Sequence, residues 1–231
     1  MEGTIRNIAV IGHSGEGKTT LVEAILFNAG AIDRQGRVDD GNTVSDFDQE
    51  EIARKTSISL SVSRCEYTDR KGRHVAFNLV DVPGFFDFEG ESNQALSAVD
   101  NAVIVTGASG TLTVGTEKAI EYCLAHRIPS LLFINGLDKD NANFIKTVAA
   151  IKEKYGNKIA PMIIPNMVDE KMKGFVKVAY GAIGRETNIP SPKISSKHTK
   201  RRGRIFAKRR RKTTRNFLIN SSQRATFRAK R

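Results

Sequence analysis

The stretch Gly12-His13-Ser14-Gly15-Glu16-Gly17-Lys18-Thr19 constrains this chain more than any other. It reads as a glycine, four variable positions and then Gly-Lys-Thr. The apolar run Ile5 to Ile11 precedes it, and Leu21, Val22, Ile25 and Leu26 follow at helical spacing through Asn28. Strand, glycine loop and helix in that order turn such an octapeptide into a phosphate cradle. Glycines let backbone N–H groups converge on phosphate oxygens, and the helix N-terminus adds the positive end of its dipole. Lys18 can reach the β- and γ-phosphates, and the Thr19 hydroxyl can ligate magnesium. A plain glycine turn capped by Thr19 is the competing reading, and the two correct flanking elements argue against it. His13 fills a variable position, where a packing or backbone role fits as well as a nucleotide contact. The octapeptide does not choose between ATP and GTP.

The rest of the chain alternates strands and helices. Strands are expected at Ser57 to Glu66, His74 to Val82, Ala102 to Thr106, Ser130 to Asn135 and Lys158 to Ile164, and helices at Glu117 to Ala125 and Ala142 to Tyr155. That alternation predicts an α/β domain with a mostly parallel sheet. One antiparallel pair is expected where the polar turn Asp69 to Gly72 is too short for a crossover helix. Asp33 to Lys55 reads as a long loop between the first helix and the second strand, and such loops are usually functional or disordered.

Two further segments fall at the carboxyl ends of strands, where ligands gather in open α/β sheets. In Asp81-Val82-Pro83-Gly84 the carboxylate can hold magnesium through water, and Gly84 lets a backbone N–H approach a γ-phosphate. In Asn135-Gly136-Leu137-Asp138 the carboxylate can accept from the N1 and N2 donors of guanine, which adenine lacks, while Asn135 tethers the loop. Each segment alone is also a common turn composition. Their order after the phosphate loop is what gives them meaning.

Taken together, these segments resemble the GTP-binding domain of bacterial elongation factor G and its paralogues among the translational GTPases, over residues 1–185. GHSGEGKTT is similar to that family's phosphate loop, DVPGFFDF to its second switch, and NGLDKDNANF to its guanine-reading segment. DFDQEEIARKTSISLSV resembles the first switch, and aligning Arg54 with the family's arginine puts Ser57 on the magnesium-binding threonine. The resemblance implies a three-layer α/β/α phosphate-loop NTPase fold and a magnesium-dependent GTPase coupled to translation elongation. It further implies the ribosome as partner and GTP and GDP as substrate and product. Lys18, Asp81, Gly84 and Phe85 would stand at the catalytic positions. Gly12 to Thr19, Asp81, Gly84, Asn135 and Asp138 would bind nucleotide, and Thr19, Ser57 and Asp81 would hold the metal.

Three departures from the family pattern carry expectations of their own. Phe85 stands where translational GTPases usually carry the histidine that orients attacking water, and a phenyl ring can neither accept nor donate that bond, so slow hydrolysis is expected. Gly136 replaces a lysine whose stem would lie along the base, which lowers guanine affinity and leaves selectivity through Asp138. The family's last nucleotide loop, final strand and final helix have no expected counterpart after about residue 190, so the sheet is predicted to be incomplete.

Charge divides the 231-residue chain at the same place. Residues 191–231 hold 16 of the 37 Lys+Arg and no Asp or Glu, leaving 21 against 25 acidic residues before them, a net of −4. A uniformly basic protein is thereby excluded. The expected organisation is an incomplete GTP-binding domain over 1–190 and a disordered basic tail over 191–231. Three origins of the tail stay open: an RNA-binding arm with Phe206, Phe217 and Phe227 stacking on bases, a solvated tail, or the product of a shifted reading frame. A non-catalytic nucleotide- or RNA-binding fragment and an ATPase are the alternatives to the GTPase. Cys65 and Cys123 suit reduced core thiols. No signal region or apolar run of membrane-spanning length is evident, so a cytoplasmic protein with no membrane or DNA partner is expected.

Overall fold

A computed structural model of the chain describes residues 4–69, 72–84, 89–168, 171–177 and 217–221. Described residues up to Thr106 and from Leu112 to Ser130 form one unit, and those from Gly107 to Thr111 and from Leu131 onward form a second. The first unit contains β1 (Thr4–Gly12), α1 (Lys18–Asn28), α2 (Gln49–Arg54), β2 (Ser61–Thr68), β3 (His74–Asp81), α3 (Glu89–Ser97), β4 (Asn101–Gly107) and α4 (Val114–Ala125). Its strand order is β2-β3-β1-β4. Strand β1 runs parallel to both β3 and β4, with Ile8 level with Leu79 on one side and Asn101 on the other. Strand β2 is antiparallel to β3, as the short turn requires. Because β1 is covered on both faces, its second half is a continuous apolar run with no polar alternation. Ala9, Val10 and Ile11 are fully buried, and Val22, Leu26, Leu79, Ile104 and Ile120 pack in the same core.

The second unit contains β5 (Ser130–Asn135), α5 (Phe144–Tyr155), β6 (Ile159–Pro161), β7 (Ile163–Val168), β8 (Lys171–Lys177) and β9 (Phe217–Ser221). Strands β5, β9 and β6 pair in parallel in that order, while β7 and β8 form a separate antiparallel hairpin with a register shift at Asn166/Met167. Leu132, Ile134 and Ile151 are fully buried here. Asn143 caps α5 by accepting from the Lys146 N–H at 3.0 Å, and its own N–H donates to the Ala108 carbonyl. The α/β class with mostly parallel strands therefore stands as expected. Among the described residues no helix is long and apolar enough to cross a membrane.

Strand β9 corrects one expectation. The sheet was expected to lack its final strand, and residues 191–231 to be a disordered tail. Instead, Phe217–Ser221 pairs on both sides, with Leu218 level with Leu131 of β5 and Ala160 of β6. The reason is local. Phe217-Leu218-Ile219 is an apolar, strand-favouring island that the average over a very basic segment conceals. The other residues of 191–231, and any helix following β9, lie outside the described residues. Smaller differences have equally local causes. The strand expected from Ser57 begins at Ser61, because residues 57–59 are drawn into other bonds described below. The strand expected over Lys158 to Ile164 is broken at Met162, and the expected loop Asp33 to Lys55 encloses α2.

Candidate functional site

The phosphate loop joins β1 to α1, and its first glycine is demanded by the neighbouring strand. Gly12 has φ 149°, and a Cβ there would overlap the Val105 carbonyl oxygen of β4. Gly17 caps α1 at φ 88°, a left-handed conformation that side chains rarely adopt, and this turns the chain from loop to helix. Lys18 and Thr19 occupy the first turn of α1 and are nearly buried, at 6% exposure each. Lys18 Nζ donates to the His13 carbonyl at 3.0 Å, which folds the ammonium back over the loop that would cradle phosphate. His13 itself is partly buried and lies against Gly115 at the start of α4.

Four side chains converge beside Thr19. Its Oγ1 lies 3.1 Å from Ser57 Oγ, and Ser57 donates to Asp46 Oδ1 at 2.6 Å. The Asp81 carboxylate, at the end of β3, is 1% exposed. Burial pushes the Asp81 carboxyl up to about 6. The Thr19 and Ser45 hydroxyls and the Lys18 ammonium stand near enough to favour its charged form, and Asp46 opposes them. Yet among the described residues neither Asp81 oxygen completes a hydrogen bond, and the buried Ser45 hydroxyl is also unpartnered. Burial raises the Asp46 carboxyl too, against the bond from Ser57 and with Glu51 adding repulsion. Buried polar groups are normally satisfied, so two unpartnered carboxylate oxygens among aligned hydroxyls fit a hard divalent cation with its water shell. The residues present thus suit magnesium, with Thr19 and Ser57 offering hydroxyls and Asp81 a carboxylate.

Sequence reasoning placed Thr19, Ser57 and Asp81 here and missed Asp46, Ser45, Glu23 and Glu51. Glu23 on α1 is fully buried and accepts from the backbone N–H groups of Gly36 and Val44, which straps the loop after α1 to that helix. Glu51 is taken up below. Gly84 is buried at the end of the segment that follows β3, and Phe85 lies outside the described residues. Ser14, Gly15 and Glu16 lie in the loop between β1 and α1. In the second unit, Asn135 ends β5 and Asp138 is exposed in the turn after it. Gly136 between them has φ 70°, and the stem of Lys139 folds to within 3.4 Å of where its Cβ would be. An aliphatic lysine stem therefore lies beside the position from which the family's lysine is missing.

The raised Asp81 carboxyl makes a prediction with a definite sign. Its folded value of about 6 exceeds the ordinary 3.8, so the folded chain holds a proton that the unfolded chain releases. In chelator, this group's stabilising contribution is fully present below about pH 4 and is lost as pH rises through about 6. The change is at most about 3 kcal/mol. Asp81→Asn should remove that part of the pH dependence, stabilise the metal-free chain at neutral pH and weaken magnesium-dependent nucleotide binding. Thermal unfolding in chelator from pH 4 to 8 checks it, with both chains carrying Asp46→Asn because the Asp46 charge acts on Asp81 and would otherwise titrate differently in the two. Parallel pH profiles for the two chains would contradict it.

A profile of the family described as Elongation factor Tu GTP binding domain matches residues 3–222, a span that includes β9. The chain is 33% identical over 207 residues to an elongation factor G-like protein of Mycobacterium tuberculosis, covering 88% of this chain and 28% of that one. It is 35% identical over 182 residues to the mitochondrial ribosome-releasing factor 2 of Culex quinquefasciatus, covering 79% and 24%. To elongation factor G of Granulibacter bethesdensis it is 34% identical over 175 residues, covering 74% and 24%. The chain thus spans about a quarter of the length of these relatives. A crystal structure of a Thermus thermophilus protein, ttk003000868, superposes with TM-score 0.79 at 24% identity, covering 95% of this chain and 37% of that one.

Proposed function

Because the chain belongs to the elongation factor Tu GTP-binding domain family, we propose that it is a magnesium-dependent guanine-nucleotide switch domain that hydrolyses GTP in ribosomal translation elongation, in the cytoplasm. The observation that carries this reading is the buried convergence of Thr19, Ser57, Asp46 and Asp81 next to the Lys18 ammonium. In this reading Gly12 to Thr19 hold the phosphates through backbone N–H groups and Lys18. Thr19 and Ser57 would hold magnesium directly and Asp81 through water, while Asp46 orients the Ser57 hydroxyl. The metal, when bound, neutralises charge on the phosphate oxygens.

Asn135 and Asp138 read the base, with Asp138 accepting from donors that only guanine presents. The Lys139 stem supplies part of the apolar wall lost with the lysine that Gly136 replaces. Gly84 offers its N–H to the γ-phosphate, which makes the segment after β3 sensitive to hydrolysis. Catalysis here is positioning and electrostatics, not covalent chemistry. Phe85 at the water-orienting position makes intrinsic turnover slow, and the ribosome supplies what that ring cannot. Relatives named for elongation and for ribosome release support the ribosome as partner.

A second reading follows from Phe85: a domain that binds GTP and does not turn it over. Single-turnover hydrolysis with and without ribosomes separates the two. A rise of at least about tenfold with ribosomes is expected of the GTPase, a fraction of the roughly hundred-thousandfold that a partner can add to such a site. GTP that stays bound and intact with ribosomes present would favour the non-catalytic domain.

A further inference from the structure

Ser57 sits between backbone groups that one residue, Glu51, gathers through its side chain and its main-chain carbonyl. The Glu51 carboxylate is 2% exposed, and its Oε1 accepts from the Ile58 N–H at 2.8 Å and the Ser59 N–H at 3.0 Å. On the other flank, the Thr56 N–H donates to the Glu51 carbonyl at 3.2 Å. Glu51 is itself held. It is the third residue of α2, and its Oε2 accepts from the Asp48 N–H while the Asp48 side chain closes the reciprocal half of the capping box. Residues 56, 58 and 59 are thus tied to one buried residue, and the Ser57 side chain between them is aimed at Asp46 and Thr19.

All of these bonds lie within the chain and need no nucleotide atom. A buried carboxylate that accepts several N–H groups fixes backbone more firmly than apolar packing can, because its loss leaves those donors unsatisfied. Ser57 stands on a short link between α2 and β2, where nothing in the local sequence pattern would otherwise set its orientation.

We propose that Glu51 is a positioning residue for the metal-binding hydroxyl of Ser57, setting the chain's magnesium affinity through the backbone of residues 58 and 59 without touching metal or nucleotide. This rests on the reading of Ser57 given above. Removing such an outer partner typically weakens metal affinity by about ten- to a hundredfold.

The test titrates magnesium into the chain with a fluorescent GDP and reads the metal midpoint. Glu51→Ala should raise that midpoint by about tenfold. Glu51→Asp, which keeps the charge and shortens the reach, should raise it in the same direction, and it decides the matter if the alanine variant does not fold. Glu51→Gln retains an acceptor for both N–H groups but turns its NH2 toward the Asp48 N–H, so it should shift the midpoint by clearly less than Glu51→Ala does. On a Ser57→Ala background, Glu51→Ala should add no further shift. Amide hydrogen exchange at residues 58 and 59, measured without nucleotide or metal, should quicken in the alanine and aspartate variants only. A folded Glu51→Ala with the parent's midpoint overturns the proposal, and so does an equal shift when Ser57 is already absent. A parent chain that shows no magnesium-dependent nucleotide binding sinks the nucleotide-site reading itself, a different result from a parent that binds and variants that do not differ.

Discussion

Lys18→Ala is expected to lower nucleotide affinity by about a hundredfold or more while the chain stays folded. The ammonium is nearly buried and donates to the His13 carbonyl, a bond made within the phosphate loop itself. On nucleotide binding the same group meets anionic oxygens, and charge-assisted bonds of that kind contribute about 1.5–3 kcal/mol each. Loss of about 3 kcal/mol corresponds to roughly a hundredfold in the dissociation constant. The fold should lose much less, because the ammonium is costly to keep out of water and its removal leaves a small side chain in the first turn of α1. A fluorescent GTP titration beside a thermal melt checks both halves. Equal affinity in parent and variant would place the phosphates elsewhere.

Gly12→Ala should act the other way, on the fold before the site. Two independent constraints meet at this residue: its φ of 149°, and the overlap of any Cβ with the Val105 carbonyl oxygen. Val105 is level with Gly12 in the β1–β4 pairing, so the collision is with the backbone of a core strand that no rotamer change relieves. A loss on the order of 4 kcal/mol or more follows, large against the whole stability of an ordinary domain. Chemical denaturation should show a much lower midpoint for this variant. Native stability in Gly12→Ala would mean that β1 and β4 are not packed as described.

The contrast between these two residues shows what the sequence could disclose. The phosphate loop was legible because its chemistry requires a glycine pattern between a strand and a helix, and all three parts are contiguous. Thr19, Ser57 and Asp81 were legible for the same reason or through resemblance, and the structure places them within one buried cluster. Asp46 was not, since a carboxylate in a loop without periodicity carries no signal until folding buries it against Ser57. Helix α2 leaves one trace in the sequence. Asp48 followed three residues later by Glu51 is a capping-box pattern, and the polar composition of Asp33 to Lys55 outweighed it. Strand β9 was lost to averaging, because three apolar residues disappear in the composition of the basic segment around them, although they suffice for a strand flanked on both sides. That strand bears on the origin of the basic segment too. Ser221 at its end is level with Ile134, the residue before Asn135, so at least this part of the segment is placed in the sheet beside β5.

The measurement that bears most directly on the proposed function is a titration of the purified chain with fluorescent GDP and GTP in magnesium, competed with unlabelled GTP and with ATP. A guanine-reading site built from Asn135 and Asp138 predicts saturable binding that GTP displaces and ATP does not, with a preference on the order of a hundredfold or more from donors that adenine lacks. Displacement by ATP at comparable concentration would contradict guanine selectivity. Failure of a demonstrably folded chain to bind either nucleotide would contradict the nucleotide site altogether.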